Sequence, residues 1–465
     1  MGSRDRQSSQ ETRPQEITES MGTSPAVHVI SLGCAKNLVD TEVMCGALVT
    51  EGFCLAEEAK DADILLINTC GFIRDARQES EDAIQRALKW KSRQAGRMVV
   101  VAGCLVQRDP RQVAQDYPGI DLLLGLDELR RLPELLRHAQ VRQAHVIPQG
   151  VLPSFLYDEH MPRLPLTPAT YGYVKVAEGC DHRCAYCAIP LIRGRQRSRT
   201  IPSVLAECRQ LLNLGMRELN LIAQDTSRYG EDLGDGTSLE KLLREIDRLP
   251  GEFWVRVLYT HPLHITDGLL DVLAHSRHVV PYLDMPLQHI ATNVLHNMGR
   301  GMDGPSTRAL LERIRAQYPN LAFRTTFLVG FPGETTADFE ELLAFVRAFR
   351  FDRLGAFAFS LEQGTPAATM PNQVPPRTAT RRKNLLLAAQ QEISLENNRK
   401  MVGQKVNVLL EEKIRGRTWQ GRTPFDAPDV DQVVTVTTRP GRKTPGFATA
   451  IITAASEYGW TATEK

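Results

Sequence analysis

The chain has 465 residues, 42% of them hydrophobic and 24% charged, which excludes a chiefly disordered or collagen-like chain and, at ~150 residues each, leaves room for about three domains. With 56 basic against 55 acidic residues the formal charge is +1, which does not indicate a nucleic-acid binder held by bulk charge and leaves a local basic patch open. The longest cleanly apolar run, Met98 to Gly103, is far short of the ~18 residues of a membrane helix. No secretory signal is visible, and the odd count of nine cysteines points to metal or redox chemistry in a reducing, cytoplasmic compartment rather than to a disulfide scaffold.

Residues 1–25 are rich in Ser, Gln, Glu, Thr and Arg and read as a disordered tail. From 26 to 140, the apolar runs Val27–Leu32, Ile64–Ile67 and Met98–Ala102 alternate with helix-like Thr41–Val49 and Asp75–Trp90. This βαβα order predicts a parallel α/β sheet with helices on both faces. Residues 141–168 hold several prolines, show no period and read as a linker. A second α/β block runs from 169 to 396. Its strand-like segments are Tyr171–Val176, Glu218–Ile222, Trp254–Leu258, Tyr282–Leu283, Ala322–Val329 and Arg353–Phe359, with helical patterns between most of them. Repeated βα units of this kind predict a full or partial (β/α) barrel. Residues 399–465 alternate in short β-rich stretches separated by turns, as in a small OB-like β-barrel.

The most informative segment is Gly179-Cys180-Asp181-His182-Arg183-Cys184-Ala185-Tyr186-Cys187, a C-x3-C-x2-C run just past a predicted strand. Three thiolates so close in sequence can hold a 4Fe–4S cluster and leave one iron open to a substrate or cofactor. The competing readings are a structural zinc site and a set of buried thiols. His182 would complete a zinc site only with a strained fit, because it lies inside the loop. The first block repeats one arrangement three times: Cys34, Cys70 and Cys104 each follow an apolar strand, 36 and then 34 residues apart. In a parallel sheet these strand ends share the edge where such folds bind ligands, so the three thiols could converge there, or be buried core thiols. Cys45, Cys54 and Cys208 lack this placement and read as packing residues.

The Cys180–Cys187 spacing, with an aromatic residue before the last cysteine, resembles the signature of radical S-adenosylmethionine (AdoMet) enzymes. Together with the second cysteine trio and the C-terminal barrel, it resembles the methylthiotransferases over roughly residues 26–465. The resemblance implies a flavodoxin-like N-terminal domain, a radical AdoMet partial barrel and a TRAM domain. It implies two 4Fe–4S clusters and AdoMet as cofactors, with Cys180, Cys184 and Cys187 holding the catalytic radical cluster and Cys34, Cys70 and Cys104 the cluster that handles sulfur. One branch of the family modifies adenosine in transfer RNA; the other modifies the β-carbon of an aspartate in protein twelve of the small ribosomal subunit. Ser31-Leu32-Gly33-Cys34-Ala35-Lys36-Asn37, Glu178-Gly179-Cys180-Asp181, Gln224-Asp225-Thr226-Ser227-Arg228-Tyr229-Gly230 and Asp426-Ala427-Pro428-Asp429 look like the ribosomal-protein branch. The expected partner is that protein, free or on an assembling ribosome. A non-enzymatic iron–sulfur, RNA-binding assembly module is the alternative outside the enzyme class.

Five further features carry expectations. Gln224 and Asp225 follow a strand and belong at the barrel's carboxyl rim, where chemistry is placed, and read either as cofactor-binding residues or as a cap of the next element. Phe327-Leu328-Val329-Gly330-Phe331-Pro332-Gly333-Glu334 resembles the family's adenine-contacting turn, which makes Gly330, Gly333 and Glu334 cofactor-binding candidates. Arg193, Arg195, Arg197 and Arg199 alternate in a loop that reads either as a phosphate or RNA contact or as a solvated basic segment. The TRAM segment raises a conflict: 11 Lys and Arg against 7 Asp and Glu over 399–465, where a surface turned to a basic protein should be acidic. The cluster Asp426, Asp429 and Asp431 is the candidate acidic surface, and an RNA contact through this barrel is the other expectation. His261 with His264, and His275 with His278, have metal-like spacing but no evident third ligand, and read as ordinary histidines.

Overall fold

The computed structural model describes residues 24–138 and 150–465; the predicted tail 1–25 falls almost wholly, and the predicted linker in part, outside them. The first block runs β1 (Ala26–Ser31), α1 (Ala35–Thr50), β2 (Cys54–Leu55), β3 (Ile64–Thr69), α2 (Arg74–Lys91), β4 (Met98–Gly103), α3 (Cys104–Arg108), α4 (Pro110–Asp116), β5 (Leu122–Leu124) and α5 (Leu132–His138). All its strands pair in parallel, in the order β2-β1-β3-β4-β5, which is the flavodoxin-like order. The sequence reading located the three central strands and missed the two edges. β2 and β5 are two and three residues long, too short to show a period. Cys54, read as a packing residue, is exposed on the β2 edge, whereas Cys45 and Cys208 are buried as expected.

The second block continues with β6 (Tyr171–Lys175), a two-residue hairpin arm β7 (Ala177–Glu178), α6 (Ile189–Arg193), its partner β8 (Arg197–Ser198), α7 (Ile201–Asn213), β9 (Glu218–Ile222), α8 (Leu239–Asp247), β10 (Trp254–Val257), α9 (Asp267–His275), β11 (Tyr282–Asp284), α10 (Thr292–Met298), α11 (Gly304–Gln317), β12 (Ala322–Val329), α12 (Thr336–Phe349), β13 (Arg353–Ala358) and α13 (Pro376–Lys400). The parallel ladders β6-β9-β10 and β11-β12-β13, linked by a bridge from Val255 to Val279, form a six-stranded partial barrel. Alternation along the strands sorts the side chains. Val174, Leu219, Leu221, Val255, Val257, Phe323 and Phe327 join one core with helix residues such as Leu242, Leu311 and Leu342. The opposite set, Tyr171, Tyr173, Ile222, Leu258 and Tyr282, forms a separate core on the other face.

Helix α1 joins the first two blocks. Met44 and Leu48 belong to the core of the N-terminal sheet, while Val39 and Val43 pack with Tyr171, Tyr173 and Tyr282 of the barrel. Burial on two faces explains why its periodicity is weak. Residues 150–168 have almost no regular structure but are packed: Arg163 pairs with the buried Glu42 of α1 and Glu207 of α7, and Tyr157 donates to Glu207. They act as a strap across the two blocks.

The last block is a closed barrel of β14 (Lys405–Arg415), β15 (Thr418–Arg422), β16 (Val433–Thr437), β17 (Gly446–Ser456) and β18 (Gly459–Glu464), in the order β14-β15-β16-β18-β17. The expectation of an acidic surface here is corrected for Asp426 and Asp431, whose carboxylates are buried, while Asp429 remains exposed. Asp429 accepts hydrogen bonds from Tyr171 and Tyr173, Asp431 from Tyr282 (2.6 Å) and Arg324, and Asp426 from Arg353 (2.8 Å). Arg422 reaches Glu218 of the central barrel, and Arg256 donates to the Pro424 carbonyl at 2.8 Å. The 422–431 segment therefore spends its charge on the amino-terminal ends of the barrel strands, opposite the rim where the cysteines lie. Among the described residues no helix is long and apolar enough to cross a membrane.

Candidate functional site

Cys34 is the N-cap of α1, Cys70 follows β3 and Cys104 opens α3, so all three stand on the carboxyl edge of the first sheet. Glycine allows them to meet. Gly33 has φ +91°, and a Cβ there would lie 2.8 Å from the Cys70 Cβ; Gly103 has φ +97°, and a Cβ there would press on Asn68 and the Thr69 carbonyl. Polar side chains fix the surrounding loops. Asn37 Nδ2 donates to the Leu32 carbonyl (2.6 Å), Asn68 Nδ2 to the Asn37 carbonyl and Thr41 Oγ1 (both 2.8 Å), and Ser80 Oγ to the Cys70 carbonyl (3.0 Å).

The thiols differ electrostatically. Burial pushes the Cys104 thiol up to about 12 and also raises Cys70. At Cys34 the surrounding protein likewise opposes ionisation, but Lys36, Arg193 and backbone N–H groups at the start of α1 outweigh it and hold the thiol below its ordinary value. A Cys34 thiolate adds to the rise at Cys70 and Cys104, and Cys70 adds to that at Cys104.

The second trio lies on the loop after β7. The Cys180 amide donates to the Gly194 carbonyl (3.0 Å), the Ala185 amide to Met298 (2.9 Å) and the Cys187 amide to Cys184 (3.1 Å). Arg300, 5% exposed, sits against it, donating to Cys184 Sγ at 3.6 Å, the Tyr186 hydroxyl at 3.4 Å and the Pro286 carbonyl at 2.7 Å. Burial raises Cys180 to about 11 and Cys187 to about 12, with the sister thiols adding to the shift.

His182 does not turn toward these thiols, which removes the zinc reading that needed it as fourth ligand. Its Nε2 binds Asp225 Oδ2 at 2.6 Å, and its ring stacks on His261 with centroids 4.2 Å apart and 17° between planes. His182 thereby supplies the third neighbour that His261 and His264 lack in the sequence, with ring nitrogens of all three within 4.8 Å. Near-parallel rings do not aim their lone pairs at one point, and His261 Nδ1 already accepts the Leu263 amide at 3.3 Å, leaving Nε2 as the protonated nitrogen. As arranged, the trio is not a metal site. His278 stacks on Phe253, and His275 pairs with Asp271 at the surface.

Gln224 and Asp225 do lie on the rim. Gln224 Nε2 donates to Glu178 at 2.7 Å and its Oε1 is buried without a partner, while Asp225 binds His182 and the Ser227 amide. The Gly330–Glu334 turn touches the cysteine loop through Phe331, which packs with Ala185 and Tyr186. Glu334 itself is committed elsewhere: it accepts the Gly330 and Phe331 amides and pairs with Arg382 of α13 at 2.8 Å. Gly330 packs so closely on Ala379 that a Cβ would overlap it, and Gly333 has φ +83°. The side chain of Glu334 thus shapes the turn.

The arginine run departs from both of its sequence readings. Arg193 and Arg199 are buried, Arg197 is half-buried and only Arg195 is exposed, paired with Asp181 at 3.3 Å. Arg199 pairs with Glu207 and donates to Ser203, so this stretch offers no row of phosphate contacts. Arg193 instead joins the two cysteine regions. It donates to Glu178 at 2.9 Å, to Asp40 at 3.0 Å and to Cys104 Sγ at 3.2 Å, and Lys175 completes the cluster against Asp40 and Glu178. Cys104 also packs with Ala188 and Ile192, and Ala188 directly follows Cys187. The two trios are therefore neighbours across one buried seam. Sequence reasoning missed Arg300, Glu178 and the role of Arg193, because each acts through contacts more than a dozen residues away or across the domain seam.

Residues 26–125 match the family described as Uncharacterized protein family UPF0004, residues 174–346 the Radical SAM superfamily and residues 402–463 the TRAM domain. The chain is 42% identical over 438 residues to a "Ribosomal protein uS12 methylthiotransferase RimO" of Desulforamulus reducens, covering 93% of this chain and 98% of that one. A protein of the same name from Desulforudis audaxviator is 43% identical over 93% of this chain and 95% of its own length. Among solved structures, the radical S-adenosylmethionine methyltransferase TsrM of Kitasatospora setae superposes with a TM-score of 0.54 at 17% identity, covering 84% of this chain and 79% of that one; this likeness concerns the fold.

Proposed function

The chain belongs to the ribosomal protein uS12 methylthiotransferase RimO family, and from that membership we propose that it replaces a hydrogen on the β-carbon of an aspartate in uS12 with a methylthio group. The observation that carries this reading is the seam itself: two separate trios of thiols, the first around Cys104 and the second around Cys187, in contact through Ala188.

The residues fit two iron–sulfur clusters. Each trio is short of a fourth cysteine among the described residues, combines buried thiols (Cys70, Cys104, Cys184) with more accessible ones (Cys34 exposed, Cys180 and Cys187 half-buried), and has a buried guanidinium donating to one thiol, Arg193 to Cys104 and Arg300 to Cys184. Such donors stabilise the anionic sulfur of a bound cluster. When bound, the clusters and AdoMet supply a carbon-centred radical at the Cys180–Cys187 loop and a sulfur-handling centre at Cys34, Cys70 and Cys104. The protein's own residues bring the two centres together, keep water out of the seam and fix the loops. No general base is needed for a hydrogen-atom transfer, and none is assigned.

The division of the chain that accompanies this reading is 26–140, 169–396 and 399–465, joined by 141–168 and preceded by the tail 1–25, in a cytoplasmic protein. Lys413, Arg415, Arg417, Arg439 and Lys443 are exposed on the C-terminal barrel, and an RNA contact of that face beside the ribosomal protein belongs to the proposal. The transfer-RNA and non-enzyme readings receive no support from the relatives, which carry the uS12 name.

The test is anaerobic reconstitution followed by incubation with AdoMet, a reductant, sulfide, purified uS12 and unmodified transfer RNA. Mass spectrometry should find one methylthio group on an aspartate, and the protein should hold about eight irons, falling to about four when Cys34, Cys70 and Cys104 or Cys180, Cys184 and Cys187 are changed to Ala. Methylthiolated transfer-RNA adenosine with unmodified uS12 would overturn the assignment.

A further inference from the structure

The seam contains a nearly buried lysine that no carboxylate neutralises; the Cys34 thiol, which it helps to ionise, is its one anionic neighbour. Lys36 lies in the first turn of α1, two residues past Cys34, and is 9% exposed. Its side chain leaves the N-terminal block and crosses to the carboxyl rim of the central barrel. There Nζ donates to the Ala223 carbonyl at 3.4 Å and stands 3.5 Å above the centre of the Tyr259 ring. Among the described residues it makes no ion pair.

Its neighbours are treated differently. Lys175 has Asp40 at 2.5 Å and Glu178 at 2.6 Å, and Arg193 has the same two carboxylates. A buried ammonium without a carboxylate is costly. A long carbonyl contact and a ring face offset only part of that cost. The ring is also held deliberately: Tyr259 has φ +64°, with its amide donating to Asp284 (2.9 Å) and its carbonyl accepting from Thr226 (2.9 Å). A non-glycine residue in the left-handed region is a strained position maintained by its surroundings.

Position gives the cation a use. Ala223 immediately precedes Gln224 and Asp225 on the rim, and Asp225 touches His182 in the loop of the second trio. Lys36 is thus suspended between Cys34 of one trio and the rim serving the other. We propose that Lys36 is the specificity residue that binds the side-chain carboxylate of the substrate aspartate, so that its β-carbon is presented between the two thiol trios. This rests on the function proposed above. A carboxylate is one bond from the carbon to be modified, so an ion pair at that group fixes the carbon more tightly than contacts along the peptide could. AdoMet also carries a carboxylate, and the test separates the two.

Wild type and Lys36→Met are compared on uS12 and on uS12 with the target aspartate changed to asparagine, with iron and sulfide measured on the same preparations. Wild type should favour the aspartate form, and Lys36→Met should lower kcat/KM for it on the order of 10- to 100-fold while lowering that for the asparagine form far less, so that the discrimination collapses. Lys36→Arg should restore part of it. Equal losses on both forms, or a loss that follows the iron content, would show a structural role and overturn the proposal. A raised KM for AdoMet with the aspartate-to-asparagine ratio intact would assign the carboxylate to AdoMet and overturn it as well. If wild type modifies neither form, the function proposed above fails first.

Discussion

Arg193 donates one N–H to Cys104 Sγ at 3.2 Å while the same guanidinium holds Asp40 of the N-terminal block and Glu178 of the barrel. The positive charge that faces the first thiol trio is thereby fixed by carboxylates from both sides of the seam, with Lys175 keeping the cluster near neutrality.

Replacing that charge should be felt at the sulfur. In Arg193→Gln the N–H donated to Cys104 is weakened and its cation lost, so a cluster on Cys34, Cys70 and Cys104 becomes harder to reduce. The expected outcome is a lower midpoint potential for this cluster in an anaerobic titration followed by electron paramagnetic resonance. The cluster on Cys180, Cys184 and Cys187, whose adjacent guanidinium is Arg300, should hold its potential. A shift of both, or of neither, would count against the assignment.

The glycines beside the thiols make a second prediction with an internal control. Gly33 and Gly103 have positive φ and also leave no room for a methyl group, whereas Gly52 has φ +85° with nothing within 4 Å. Gly52→Ala should cost only the conformational penalty, about 1 kcal/mol. Gly33→Ala and Gly103→Ala add overlap with Cys70 and with the Asn68–Thr69 backbone, so each should cost more, roughly 2–4 kcal/mol. Iron retained by the Cys180, Cys184, Cys187 triple Ala variant carrying each change measures the local effect; Gly52→Ala should leave it unaltered.

Much of this architecture was legible because it is periodic or local. Each βα unit of the central barrel announces itself by a short apolar run, and the C-x3-C-x2-C loop lies within nine residues. The ends of β1, β3 and β4, each an apolar run closed by a cysteine, put Cys34, Cys70 and Cys104 on one edge of a parallel sheet. What sequence could not show is what depends on docking between blocks. Arg193 and Arg199 look like a solvated basic loop until the fold buries them, and Asp426 and Asp431 look like an acidic surface until the fold turns them onto Arg353 and Tyr282, with only Asp429 left exposed. Charge counts carry no direction, so buried pairing and surface display read alike.

Acid should loosen the C-terminal barrel from the central one. Glu218 is buried between Arg256 and Arg422; burial would raise its carboxyl, but the two guanidiniums more than reverse this and hold it below the ordinary range. A depressed folded value stabilises the docked state above the unfolded value of about 4.3 and is lost as pH falls through the folded value. Asp426 works the other way, because burial raises its carboxyl despite Arg353; its contribution is present at low pH and fades as pH rises through the raised value. Hydrogen exchange over residues 405–464 should therefore accelerate below pH about 4.3, and Glu218→Gln should flatten that limb of the profile while lowering stability at neutral pH. A profile unchanged by the substitution would rule out Glu218 as its source.

The same interface yields a prediction that separates scaffold from substrate contact. Asp426 is 1% exposed and is the carboxylate that Arg353 pairs with. Asp426→Ala leaves that guanidinium buried without its partner, which costs roughly 3–5 kcal/mol where a pair is broken from one side. The loss should appear as a lower thermal midpoint and faster proteolysis of the C-terminal barrel. If the acidic segment instead met a basic ribosomal protein, the substitution would raise KM for uS12 and weaken its dependence on salt, because exposed complementary charges act through screened, long-range attraction. Buried pairs are screened far less, so measuring KM at two ionic strengths distinguishes the cases. The geometry at Arg353, Tyr171 and Tyr282 predicts a fall in stability with the salt slope intact.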